Sequence, residues 1–175
     1  MYHCIYKVRK DAFFFANELF VYLLGAFDDM MAPVIWDNEK QIHSATKKTI
    51  ERMRTFFLDS RIGILFPSGR ISKLTLSGLK ERAWQKTPIS IADRNDCLLV
   101  PAFIVGRNSW FFYFASIINR QLRDISQLNE LLNKKDKKIK IIIGKPVSRD
   151  QLPENDSEAI EELKRLSDSL KKKII

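Results

Sequence analysis

Short apolar runs at 12–16, 31–36, 62–66, 98–105 and 139–143 alternate along this chain with segments of helical periodicity. Each run suits one buried strand, and strands set apart by helices fold as a sheet with helices on its faces. The clearest helical segment is 38–58. There Ile42, Thr46, Ile50, Met53 and Phe57 fall at helical spacing, with Lys47, Lys48, Glu51 and Arg54 elsewhere on the wheel. Residues 17–27 form a short helix in this reading. Thr87-Pro88 marks another helix start, with proline at the tolerated first position. Ile160, Leu163, Leu166 and Leu170 mark a last helix, opened by Asp156 or Ser157. Pro33 puts the run 31–36 at a sheet edge or makes the strand begin late, because proline has no N–H to give a ladder. The linker-like stretch is 148–157, rich in Asp, Pro, Asn and Ser. The expectation is an α/β domain over residues 1–150, a mixed sheet flanked by helices, with 151–175 a C-terminal helix packing on it or extending from it.

A chain of 175 residues, 45% apolar and 29% charged, can bury a proper core and is not a disordered polymer. No run reaches the roughly 18 uncharged apolar residues needed to span a bilayer. Lys7, Arg9, Lys10 and Asp11 interrupt any apolar core of a signal peptide. Cys4 and Cys97 lie far apart without metal-ligand or redox spacing, which reads as packed, reduced thiols in a reducing compartment. The net charge of +9 favours anionic partners: phospholipid surfaces, phosphorylated substrates, acidic carrier proteins or nucleic acid. The expected location is the cytoplasm or the cytoplasmic face of the inner membrane, as a peripheral protein.

The chemistry-bearing blocks sit at strand ends. Phe66-Pro67-Ser68-Gly69-Arg70-Ile71-Ser72 directly follows the apolar run Ile62-Gly63-Ile64-Leu65. Proline ends the ladder, glycine permits a tight reversal, and free backbone N–H groups are left beside a fixed cation, which suits an anion. Alternatively the turn is a plain strand-to-loop connection with Arg70 in solvent. Further on, Leu98-Leu99-Val100-Pro101 closes another apolar run, and Gly106-Arg107-Asn108-Ser109 follows it. In order and content these blocks resemble the glycerolipid acyltransferases, in particular their hemolysin-like or lyso-ornithine-lipid branch, over about residues 10–150. The family's block Phe-Pro-Glu-Gly-Thr-Arg-Ser is matched at Phe66, Pro67, Gly69 and Ser72. Its Glu, Thr and Arg positions hold Ser68, Arg70 and Ile71 here.

The resemblance implies the glycerol-3-phosphate acyltransferase αβ domain without its N-terminal part. The activity it implies is transfer of a fatty acyl group from acyl-carrier protein or coenzyme A to a lysolipid, with no cofactor. Substrate-binding positions would be Ser68, Gly69, Arg70, Ser72, Pro101, Arg107 and Asn108. Arg70 and Arg107 would hold anionic parts of acceptor or donor, Ser68 and Asn108 would supply hydrogen bonds, and Gly69 would let the ligand approach the backbone. The family's His-x4-Asp motif, whose histidine takes the proton of the attacking hydroxyl, is absent. His3 has Val8 at that spacing and His43 has Lys48. In the family that motif sits just upstream of the segment resembling residues 9–19, so the expectation is an N-terminally truncated chain, inactive alone, with no catalytic residue of its own.

Two stretches bear on partners. Trp110-Phe111-Phe112-Tyr113-Phe114 runs on to Ile117, Ile118, Arg120 and Arg123. It is either a core helix packed on the sheet or a segment lying in a membrane interface. Lys134–Lys140 and Lys171–Lys173 read as solvated charge, or as attraction to anionic lipid. Two alternatives to the enzyme reading remain open: a non-catalytic lipid- or membrane-binding remnant, and a basic nucleic-acid-binding protein with the aromatics as stacking platforms. Against the last, the basic residues are scattered and no nucleic-acid motif is present, so the partners expected are donor, lysolipid and anionic membrane, and no nucleic acid.

Overall fold

The structure is a computed structural model that describes residues 5, 8–17, 29–34, 51–69, 72–75, 78–106, 108–118, 126, 129–130, 133–134 and 137–174. It is a mixed α/β chain of small sheets and helices, divided into two compact units, Met1–Phe66 and Pro67–Ile175. Asn17, the first residue of the expected helix at 17–27, is the last residue of a strand; the rest of that helix and the first part of the one at 38–58 lie outside the described residues, as do His3, His43, Arg70 and Arg107.

The first unit is built on three parallel strands in the order β2-β1-β3: β1 Phe13–Asn17, β2 Met31–Val34 and β3 Gly63–Ile64. Parallel neighbours require crossover connections, and residues 51–58 of the second crossover are helical (α1). Phe13 is fully buried under that helix, its ring centroid 4.7 Å from Phe56 and 5.6 Å from Phe57. The close approach uses Gly63: a Cβ there would sit 2.9 Å from the Phe13 ring. Arg61 closes the end of the cluster. Its guanidinium stacks 3.8 Å above the Phe56 ring centroid and donates to the carbonyls of Asp11 and Asp29, each at 2.9 Å. β2 is an edge strand of this sheet, with Pro33 in register with Ala16, as its proline demands.

The second unit has a hairpin, β4 Lys73–Thr75 with β5 Gly78–Lys80, and an antiparallel pair, β6 Ala102–Val105 with β7 Lys140–Ile143. Its helices are α2 Thr87–Asn95, α3 Trp110–Ile118 and α4 Asp156–Ser169. α2 begins at the expected Thr87-Pro88 and stops at Asp96, which takes the left-handed conformation at φ 46°. Ile89, Leu152, Ala159, Ile160 and Leu163 form the core between α2 and α4, with Trp84, Leu99 and Val147 packed against them. α4 is tied to the β6–β7 pair by Ser167 Oγ, which donates to the Ala102 carbonyl at 2.9 Å.

Several expectations shift. The strand read at 98–105 is regular only from Ala102; before Pro101, Leu99 makes an isolated bridge to Val147. Pro101 has no N–H, and its carbonyl is taken by the Gly144 N–H at 2.8 Å. Among the described residues, parallel and antiparallel pairs both occur, in separate small sheets. The 148–157 stretch is no loose linker: Ser148 and Gln151 cap a short 3-10 turn, Leu152 is core, and Asn155, not Asp156 or Ser157, caps α4. The β4–β5 hairpin was not expected.

Candidate functional site

Every described residue among the expected substrate-binding positions belongs to the second unit. The turn Pro67-Ser68-Gly69 opens it. Gly69 has φ +60°, a left-handed backbone that a side chain would strain, so glycine is required for this reversal. The Pro67 carbonyl accepts from the Gln85 N–H at 2.9 Å, which anchors the turn beside the approach to α2. Ser68 is buried at 8% exposure, and Ser72 is half-buried where the chain enters β4. Pro101 is buried at the foot of β6, held against Gly144.

Asn108 and Ser109 lead from β6 into α3, and α3 lies beside β4. The two strand-end blocks thus feed neighbouring elements, Ser72 into β4 and Asn108 into α3. Ser109 caps the helix: its Oγ accepts from the Phe112 N–H at 3.2 Å. The Ser109 N–H donates to Glu130 Oε2 at 3.0 Å. Lys134 Nζ donates to Asn108 Oδ1 and stands 3.7 Å from Glu130 Oε2. The Asn108 N–H donates to the Tyr113 hydroxyl at 3.3 Å. Glu130 is buried at 6% exposure. Burial pushes its carboxyl up, but hydrogen bonding from Ser109 and the nearby Lys134 ammonium outweigh that and hold it below the usual glutamate range.

This network fixes what Asn108 can offer. Its side-chain oxygen accepts from Lys134, and its Nδ2 amide is the side chain's donor, suited to an anionic or carbonyl oxygen. Lys134 brings a cation, partly neutralised by Glu130, to the same loop. In the sequence Ser109 closes the Gly106 block, Tyr113 belongs to the aromatic run and Lys134 opens a basic stretch, but none of them is marked as part of this network, and Glu130 is not marked at all. A serine just ahead of an apolar helical run is a capping signal that could have found the first of these. The other contacts join residues distant in sequence and carry no local signature.

A second feature is an open groove of about 670 Å³ whose lining includes Asp93, Asp96, Cys97, Arg149, Asp150 and Glu154. Its carboxylates make it a poor host for an anion. Arg149 is occupied with structure: its guanidinium donates to the carbonyls of Pro153 at 2.6 Å and Glu154 at 2.8 Å, stapling the loop before α4. Its Nε lies 2.9 Å from Asp93 Oδ1 without the alignment of a hydrogen bond. Burial pushes the Cys97 thiol up, away from a reactive thiolate. Among the described residues no group of three or more His, Cys, Asp or Glu is placed to hold a metal ion, and no helix is long and apolar enough to cross a membrane.

No protein-family model matches the chain, and no solved structure matches it. Over 98 residues it is 33% identical to the lyso-glycine lipid O-acyltransferase of Phocaeicola vulgatus. The matched stretch makes up 53% of this chain and 35% of that protein. The relationship this likeness supports is to acyltransferases.

Proposed function

We propose that the chain is part of an acyltransferase that moves a fatty acyl group from acyl-carrier protein or coenzyme A to a lysolipid of the glycine- or ornithine-lipid kind, working as a peripheral protein on the cytoplasmic face of the inner membrane. The observation that carries the proposal is the likeness to lyso-glycine lipid O-acyltransferase in a chain whose strand-end blocks match that chemistry. Arg70 and Arg107 are the proposed partners of the acceptor's or donor's anionic groups. Ser68, Ser72, Asn108 and the backbone at Gly69 surround the headgroup, and Pro101 sets the end of the strand beside it. A lysolipid with a terminal carboxylate suits a guanidinium fork, which holds two oxygens at once.

Acyl transfer also needs a base for the attacking hydroxyl, and neither His3 nor His43 has an aspartate at the His-x4-Asp spacing. These residues by themselves therefore bind lipid without turning it over. The test is a pair of measurements on the 175-residue polypeptide with labelled acyl-coenzyme A, acyl-carrier protein and a panel of lysolipids. Saturable lysolipid binding, weakened at least tenfold by Arg107→Ala and unaccompanied by transfer, is expected. Acyl transfer by this polypeptide would overturn the assignment of the base to other residues. Absence of binding to every lysolipid, or binding indifferent to Arg107, would overturn the substrate site.

A further inference from the structure

α3 turns its apolar residues two ways. At about 100° per residue, Phe112, Tyr113 and Ala115 fall on one arc of the wheel and are buried. Trp110, Phe111, Phe114, Ile117 and Ile118 fall on another arc about 120° wide, and they are 75%, 63%, 62%, 65% and 58% exposed. The aromatic run is therefore buried on one side and exposed on the other. Five large side chains exposed to that degree present on the order of 600 Å² of apolar surface, at the top of the range for patches left bare on soluble proteins.

Charge decides what fits it. No acidic residue occurs between Asp96 and Asp124, while Arg107, Arg120 and Arg123 flank the helix in sequence. An apolar protein partner needs no such bias. A bilayer surface carrying anionic lipid matches it in both respects, with apolar rings entering the acyl boundary and the positive charge of the surrounding sequence attracting the phosphates. Trp110 also begins the helix, and tryptophan is favoured at that depth.

We infer that the outward face of α3, made by Trp110, Phe111, Phe114, Ile117 and Ile118, docks on an anionic lipid bilayer, lying in the plane of the interface. This deepens the reading of the chain as a lipid enzyme and rests on it only for the kind of surface it meets. The test uses vesicles without acyl donor or lysolipid, so docking and acyl transfer can fail separately.

The whole chain is floated with phosphatidylcholine vesicles containing phosphatidylglycerol, and with pure phosphatidylcholine vesicles, at two salt concentrations. Expected are binding to the anionic vesicles that weakens with salt, and at least a tenfold loss in the double variant Phe111→Ser/Phe114→Ser. The variant Phe111→Leu/Phe114→Leu, which keeps the face apolar, should retain binding within about threefold. Matching urea midpoints for both variants and the parent establish that the fold survives, and if the serine variant unfolds, Ile117→Ser serves in its place. Equal binding by parent and serine variant would overturn the inference. So would a parent that ignores anionic vesicles, or one that is a dimer separated by the serine substitutions with vesicle binding unchanged.

Discussion

Replacing Glu130 tests whether the loop at 106–109 is held in place from below. Its carboxylate accepts the Ser109 N–H at 3.0 Å, at the start of α3, and stands 3.7 Å from the Lys134 ammonium. A hydrogen bond to a charged group contributes about 1.5–3 kcal/mol. A negative charge at a helix N-terminus contributes about 0.3–1 kcal/mol, partly the same effect. Lys134 is one-third exposed, so its attraction is screened to about 0.5 kcal/mol or less. Against these stands the desolvation of a buried carboxylate, which Glu130→Ala removes together with the contacts. The net expectation is a loss of about 2 kcal/mol for Glu130→Ala. Glu130→Gln keeps an acceptor for the Ser109 N–H and gives up the charge, so it loses about 1 kcal/mol.

The pH dependence is the sharper test. The carboxyl is held below the usual glutamate range in the folded state. Its charge therefore stabilises fully above that range, and the contribution is lost as pH falls through the folded value. The gap between wild type and Glu130→Gln should be widest at neutral pH and close as the solution is taken below about pH 4. Urea titrations followed by tryptophan fluorescence read this. Trp84 and Trp110 both lie in the second unit, and the third tryptophan, Trp36, is removed from the signal by making every comparison in a Trp36→Phe background. A gap that stays constant with pH, or widens in acid, would refute the assignment of a stabilising charge to Glu130. A Glu130→Ala variant as stable as wild type would refute the anchoring altogether.

Two further outcomes concern the framework of the second unit. Asn155 Oδ1 accepts from the N–H groups of Ser157 at 2.8 Å and Glu158 at 3.4 Å. Asn155→Ala should cost about 1 kcal/mol and Asn155→Asp almost nothing, as read by thermal melting. A Cβ at Gly144 would meet Pro101 Cγ at 2.9 Å and the Pro101 carbonyl at 3.1 Å. That carbonyl is pinned by the Gly144 N–H, so Gly144→Ala should destabilise by about 1–3 kcal/mol in urea, and a neutral result would mean that β6 and β7 approach less tightly than described.

What the sequence displays most clearly is what local chemistry decides. The alternation of short apolar runs and helices, the edge position of the Pro33 strand, the start of α2 at Thr87-Pro88 and the apolar face of α4 follow from proline, capping and periodicity. The β4–β5 hairpin has no such signal. Its strands are three residues each, and Lys73 pairs with Lys80 across them, a pairing that propensity disfavours. Glu130 and Lys134 were hidden for a different reason. Their spacing of four is that of an ordinary pair on a helix surface, and nothing local shows that Glu130 is buried and takes the N–H of Ser109, 21 residues earlier. In α3 the difficulty was uniform apolarity. With Trp110–Phe114 all aromatic, no polar residue marks which arc faces water, and only packing settles it.

These two features of α3 belong together physically. The helix is nine residues, about 13 Å along its axis, so the loop carrying Asn108 stands within two turns of Phe114. Glu130 and Lys134 fix the N-terminal end of the helix from within, and the Ser109 cap sets the direction in which the chain enters it. A bilayer held by the outward rings would thus meet the Asn108 loop at headgroup depth without any rearrangement of the backbone. Weakening the anchor at Glu130 should then affect the Asn108 loop more than the rings. Vesicle docking would persist in Glu130→Gln while lysolipid binding fell. The reverse pattern, docking lost and lysolipid binding intact, would mean that Glu130 supports the exposed face and not the Asn108 loop, and would refute the anchoring argued from its contact with Ser109.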